Sequence, residues 1–258
     1  MIFYHPSIDP IAFSFGIVDI RWYSLAYLAG FIFGLYLIKS VNKSHKKPLS
    51  NRLIEDYFFW SIISVIIGGR IGYMLFYQTS KILNNPIEIF YIWQGGMSFH
   101  GGLIGIIISM FFFSKVKNIN FFQLSDLICL AAPIGIFFGR LANFINIELY
   151  GKITTFPFAI IYPTIDQYPR HPSQLYEAFF EGIIIFIVLY FYNLKNKNNN
   201  HGISTSLFLI LYGVFRTMLE FIREPDYHLG LLFNLFSMGQ LLSMPLIVLG
   251  TIIYLNKK

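Results

Sequence analysis

The chain has 258 residues, 55% of them hydrophobic and 12% charged, with a mean hydropathy of +0.59. Soluble domains carry about 25% charged residues, so this composition excludes a water-soluble globular fold and indicates a polytopic membrane protein. The net charge of +6 does not indicate nucleic acid, because the basic residues cluster in short loops between apolar runs.

The opening, Met1 to Ile20, is mixed and proline-bearing. It reads as an amphipathic piece lying on the membrane surface and lacks the pattern of a cleavable signal peptide. Apolar spans of about 20 residues then follow over Trp22–Ile38, Tyr57–Phe76, Met97–Phe113, Leu124–Asn143, Leu175–Tyr192, Ile203–Phe221 and Met238–Leu255. Between the second and third spans, Ile87 to Trp93 reads as a short interfacial segment, and Lys195 to Asn200 as a solvated turn. Cys129 lies inside an apolar run, where it serves packing better than nucleophilic chemistry; one cysteine builds no internal disulfide framework. No fixed-period repeat and no linker divides the sequence. The expected architecture is therefore a single domain, 1–258: an all-α polytopic membrane protein of about seven transmembrane helices with a short periplasmic segment.

Lys and Arg set the orientation. The first, third and fifth loops and the C-terminal tail hold eleven, the opposite face holds five, and Arg70, Arg140 and Arg216 fall at membrane depth. The richer side is cytoplasmic, so the N-terminus is expected in the periplasm and the C-terminus in the cytoplasm.

Five groups of polar residues interrupt the greasy pattern. Gly139 to Gly151 places Arg140, Asn143, Asn146 and Glu148 where a span should stay apolar. A charge at that depth costs roughly 2.5–3.5 kcal/mol on insertion scales, and such groups usually face a protein interior or a cavity. On a continued helix, Arg140 and Asn143 share a face and Glu148 lies about 80° from Arg140. That arrangement serves either to grip a phosphate bidentately or to lock the span end with an Arg140–Glu148 pair. Tyr212, Arg216 and Glu220 recur every four residues as one stripe, with Arg223 a turn later; the stripe must face inward, as an ion pair or as part of a site. His100, in Ser98-Phe99-His100-Gly101-Gly102, is a candidate proton acceptor or a histidine packed at a helix crossing made by Gly101 and Gly105. Arg70 is either a structural ion-pair partner or a headgroup ligand. Glu177 and Glu181 share a face at no recognised metal spacing and read as a supporting network.

The thirteen-residue run, fitting at Gly139, Arg140, Asn143, Phe144, Asn146, Glu148 and Gly151, resembles the signature of prolipoprotein diacylglyceryl transferases. Further matching stretches are Arg21-Trp22-Tyr23, Gly68 to Tyr73, Gly95 to Gly105, Arg170 to Glu177, and Tyr212 to Arg216 with Glu220, Phe221, Arg223, Pro225 and Asp226. The resemblance covers nearly the whole chain in family order. Two features depart from it: Ile147 stands where many members carry a small glycine, and the polar segment from Lys152 to Tyr168 is short.

The resemblance implies a bacterial inner-membrane enzyme. Such an enzyme moves the diacylglyceryl group of phosphatidylglycerol to the lipobox cysteine thiol next to a prolipoprotein signal peptide, forms a thioether and releases glycerol phosphate. Its implied partners are phosphatidylglycerol, that lipobox segment and the bilayer, with no metal or organic cofactor demanded. It further implies catalytic roles for His100, Arg216, Glu220, Tyr23 and Glu148, and phosphatidylglycerol contacts for Arg140, Asn143, Gly151, Tyr212 and Arg70. A small transporter or channel would use the same inward charges, but the inverted halves common in transporters are missing. An intramembrane serine protease built on Ser98 and His100 lacks a Gly-x-Ser-x-Gly elbow.

Overall fold

The computed structural model describes residues 3–16, 18–46, 48–195, 200–225 and 237–257. Lys47, Lys197, Asp226, Lys258 and most of the turn between Lys195 and Asn200 lie outside the described residues. Among the described residues seven apolar helices dominate: α1 Trp22–Asn42, α2 Asn51–Tyr77, α3 Phe99–Val116, α4 Phe121–Ile145, α5 Ser173–Lys195, α6 Ile203–Leu219 and α7 Met238–Lys257. All but α6 are long and apolar enough to cross a membrane. At 1.5 Å per residue α6 spans about 25 Å, slightly under a hydrocarbon core of about 30 Å. The expected segment between α2 and α3 is a short helix, Thr79–Asn84, followed by 3₁₀ turns at Pro86–Phe90 and Ile92–Gln94.

Strands are short and lie in the connections. The opening residues form β1 (Phe3–Tyr4) and a hairpin of β2 (Ile11–Phe15) with β3 (Val18–Arg21). β1 pairs in parallel with β4 (Ile160–Ile161), which pairs antiparallel with β5 (Pro169–Arg170).

The chain divides into two compact units, Met1–Lys47 with Asp126–Lys258, and Pro48–Ser125. In the first, Leu37 and Val41 of α1, Leu130 of α4, and Ile185 and Leu189 of α5 form a buried apolar centre, with Leu207, Leu211 and Phe215 of α6 packed against it. Most have a partner three or four residues away, the spacing that keeps side chains on one helical face. Asp126 caps α6 from another helix: it accepts from Gly202 N (2.6 Å), Thr205 N (2.8 Å) and Thr205 Oγ1 (2.7 Å), which satisfies amides that a helix start leaves open. α6 and α7 approach through glycines, since a Cβ on Gly213 would sit 3.0 Å from Ser243 O and one on Gly250 2.9 Å from Ser206 O.

In the second unit, α2 and α3 cross through Gly68, Gly72, Gly101 and Gly105. A Cβ on Gly101 would meet Gly68 O at 2.2 Å, and one on Gly105 would meet Ser64 O at 2.3 Å. Ser98 caps α3 by accepting from Gly101 N at 3.2 Å.

Candidate active site

The polar residues of the first unit gather where α4, α5 and α6 approach one end of that unit. α4 and α5 come close because Gly182 has no side chain; a Cβ there would lie 2.7 Å from Phe137 Cβ. Around this approach α5 is wound as a π-helix over Ala178–Ile184, a local widening frequent at functional sites. Glu177 and Glu181 thereby face Arg140. Arg140 Nη1 lies 3.0 Å from Glu177 Oε2, and Nη2 donates to Glu181 Oε2 at 3.2 Å. From α6, Arg216 Nη1 donates to Glu177 Oε1 at 2.8 Å and Nη2 lies 2.8 Å from Glu220 Oε2. Arg223 Nη1 reaches Glu177 Oε1 at 3.8 Å. The side chains of Glu177 and Glu181 are fully shielded. Three arginines thus face three glutamates, a balance that a buried network requires, since removing one partner of such a pair costs roughly 3–5 kcal/mol. Tyr212, one turn before Arg216, lies in the field of Glu181, Arg140, Arg216 and Glu177.

Two pairings differ from the sequence expectation. Glu148 does not pair with Arg140, because the helix stops at Ile145 and does not carry Glu148 round to that face. Ile147 and Leu149 take left-handed backbone angles, φ 57° and 58°, and turn the Glu148 carboxylate toward Asn143 Nδ2 (2.9 Å) and Asn146 Nδ2 (3.4 Å). Asn143 Nδ2 also donates to Tyr23 Oη at 2.9 Å, so Tyr23, Asn143 and Glu148 form a second, uninterrupted cluster. Likewise, Arg216 is not held by Glu220 alone, since Glu177 takes its other terminal nitrogen. The Glu220 carboxylate also lies against Gly239 in the first turn of α7, where a Cβ would sit 2.7 Å from Oε2; the positive end of a helix favours a carboxylate there.

The wall around these clusters is built from the connections. Gly151 N donates to His171 O (2.9 Å), and Gly151 bridges Arg223. A Cβ on Gly151 would meet His171 O at 2.5 Å, so the glycine is a backbone junction joining the ends of α4 and α6 to the start of α5. Arg170 fastens this junction: it donates to Gly151 O (3.2 Å), to both Asp166 oxygens and to Glu224. These donations hold the Asp166 carboxyl below its ordinary pKa. Ser173 Oγ and Gln174 Nε2 donate to Leu149 O (2.7 Å) and Glu148 O (2.6 Å), supporting the left-handed turn. His5 is buried between β1 and α4. Its Nε2 lies 2.9 Å from Phe144 O, its Nδ1 accepts from Ser7 N at 3.0 Å, and burial pushes its pKa down.

The second unit holds the remaining expected residues. Arg70 is buried and donates to the carbonyls of Ile89 (3.2 Å), Glu88 (2.7 Å) and Gly95. Its structural partners are therefore backbone carbonyls of the segment before α3, where the sequence reading had an acidic side chain as the alternative. His100 is exposed at the start of α3, edge-on to Phe99; the glycines of its motif make the helix crossing and the imidazole does not.

Over residues 10–256 the chain matches the family model described as prolipoprotein diacylglyceryl transferase. It belongs to that family. It is similar to phosphatidylglycerol–prolipoprotein diacylglyceryl transferases of Rickettsia typhi (46% identical, covering 98% of this chain and 99% of the relative), Rickettsia bellii (46%; 95% and 94%) and Rickettsia felis (44%; 95% and 95%).

Family membership gives the geometry a context. The stretch from Arg140 to Gly151 and the stripe from Tyr212 to Arg223 belong to one end of the same unit, joined through Glu177. Sequence reading gave Glu177 a supporting role without its partners, and the structure makes it the carboxylate that Arg140 and Arg216 share. The available signal was two acids one turn apart inside an apolar span, which only buried cations could neutralise. Gly239 carried no such signal, because its role depends on which side chain faces it.

Proposed function

We propose that this chain transfers the sn-1,2-diacylglyceryl group from phosphatidylglycerol to the lipobox cysteine thiol of prolipoproteins; the family and its relatives' names support diacylglyceryl transfer from phosphatidylglycerol to a prolipoprotein. The observation that carries the reading is Arg140 and Arg216 converging from two helices on one buried carboxylate, Glu177. A phosphate accepts the same forked hydrogen bonds as a carboxylate, so guanidiniums placed to share Glu177 are suited to share a phosphate.

In the reaction the thiol loses its proton and the thiolate sulfur attacks the lipid carbon bonded to the phosphate oxygen. The C–S bond forms as the C–O bond breaks, and the electron pair leaves with glycerol phosphate. Arg140 and Arg216 stabilise the charge growing on that leaving group. His100 receives the thiol proton. Tyr23, Asn143 and Glu148 orient the glycerol and ester oxygens, and Tyr212 borders the phosphate. Arg70 and Gly151 contribute by fixing the segments around the headgroup. We further read residues 1–258 as a single transferase domain. Support for a site at the periplasmic end comes from the Lys and Arg distribution, which assigns the polar connections after α4 to that side.

The test is transfer of a labelled diacylglyceryl group from phosphatidylglycerol to a lipobox peptide by the protein in nanodiscs, with Arg140→Lys compared. Lysine keeps the charge and loses the fork, so the variant is expected to fold and lose most of the transfer. Absence of label on the peptide with the wild type would refute the activity. Wild-type transfer by a folded Arg140→Lys protein would refute bidentate phosphate recognition at Arg140.

A further inference from the structure

Glu181 has a feature that the ion-pair network does not use. Its side chain is fully shielded, and Oε2 accepts from Arg140 Nη2 at 3.2 Å. Oε1 is buried with no hydrogen-bond partner among the described residues. Glu177 Oε2 and Glu220 Oε2 also lack an aligned hydrogen bond, but each lies within ion-pair distance of a guanidinium, at 3.0 and 2.8 Å. Glu181 Oε1 has no such compensation. A charged acceptor left unpaired in the interior is costly, and natural structures keep few of them. The position is also actively maintained: the π-helical turn over Ala178–Ile184 and the close approach at Gly182 press this carboxylate against α4.

The orphan oxygen belongs to the carboxylate bound to Arg140. A phosphate held by Arg140 therefore has Glu181 beside it. The group that satisfies Oε1 there must be a hydrogen-bond donor a few bonds from phosphorus, and it must be neutral, since Arg140, Arg216 and Arg223 repel a further cation. A hydroxyl on the headgroup glycerol, on the carbon next to the phosphoester carbon, meets both conditions.

We propose that Glu181 is a specificity-determining residue, whose Oε1 accepts an O–H from the free glycerol of the headgroup while Arg140 holds the phosphate. The proposal rests on the phosphatidylglycerol reading above. A lipid of the same charge whose headgroup has no hydroxyl leaves Oε1 unpaired, and sites built to bond a substrate hydroxyl discriminate strongly against analogues lacking it.

The experiment compares transfer to a lipobox peptide from phosphatidylglycerol and from phosphatidylmethanol, an anionic lipid whose headgroup is a methyl ester. The wild type is expected to favour phosphatidylglycerol by about tenfold or more in kcat/KM, the worth of a hydrogen bond to a charged acceptor. Glu181→Gln turns its carbonyl to Arg140 and loses the anionic acceptor, so the preference shrinks. Glu181→Met removes the acceptor, and the preference disappears. If the variants do not fold, the wild-type comparison still decides. Equal use of the two lipids by the wild type overturns the proposal and leaves Oε1 to water alone. An undiminished preference in either folded variant overturns it as well. A wild type that labels no peptide from any lipid would remove the transferase reading and this proposal together, whereas transfer indifferent to the headgroup hydroxyl removes the proposal alone.

Discussion

Ile147 shows how a single residue can hold a backbone conformation its own side chain disfavours. Its φ of 57° is a region where a β-branched side chain is a true outlier, held by the bonds that Ser173 and Gln174 make to Leu149 and Glu148. The left-handed conformation costs an L-residue roughly 1–2 kcal/mol, a cost that a glycine at this place does not carry. Ile147→Gly is expected to raise the thermal midpoint of the detergent-solubilised protein by about 2–4 °C; a lowered midpoint would mean that the isoleucine's contacts outweigh its strain. His5 gives a pH dependence. Its folded-state pKa lies below the ordinary value of 6.5, because burial opposes the charged ring. The unfolded chain therefore takes up this proton first as pH falls. Stability from the neutral ring is complete above about pH 6.5 and declines as pH falls through the folded value. Melting curves between pH 7 and pH 5 should slope downward in the wild type and less in His5→Gln. Parallel slopes would show that the His5 links to Phe144 and Ser7 contribute nothing to this dependence.

Among the elements, α5 and α7 act by where they come close to others. α5 brings two glutamates to Arg140 because Gly182 lets it touch α4 and its π-helical turn alters the phase of the side chains that follow. α7 sets Gly239 against the Glu220 carboxylate, which Arg216 holds at 2.8 Å. That carboxylate cannot yield without lengthening its ion pair. Gly239→Ala is therefore expected to fold, to displace Glu220 from Arg216 and to lower transfer about 10²-fold, the cost associated with a misplacement of about 1 Å in a site. The check is kcat together with an independent measure of folding. Unchanged kcat in Gly239→Ala would show that the Arg216–Glu220 geometry is not critical for the reaction.

For the whole molecule, the distribution of basic residues carries a prediction about direction across the membrane. Eleven basic residues on one side against five on the other lead us to propose a cytoplasmic C-terminus, following the positive-inside rule. A reporter fused after Lys258 should be active only if it functions in the cytoplasm; periplasmic activity of the fusion would reverse the orientation and the assignment of the site to the periplasmic end. Membrane insertion itself fits the exposure pattern, since Leu28, Ile32 and Tyr36 recur along the outer face of α1 while Arg70, Arg223, Glu177 and Glu181 are inside. Such a distribution is untenable in water and natural in lipid.

By itself the sequence determined the membrane class, the seven apolar helices to within about six residues at either end, and the presence of Arg140, Arg216 and Glu220 at membrane depth. Long apolar runs and charges at membrane depth are local signals, legible because lipid tolerates few alternatives. The family motif likewise lay in the residues. What only the tertiary structure decided is partnership. Arg140 and Glu148 are eight residues apart and shared a helix in the sequence reading, yet a turn through two left-handed residues separated them and gave Glu148 to Asn143 and Tyr23. Arg140 took instead two glutamates from α5, some forty residues on. Helical periodicity places side chains on a face, but it holds only while the helix continues. Which faces then meet depends on where glycines allow backbones to approach, and that is settled by packing between distant segments.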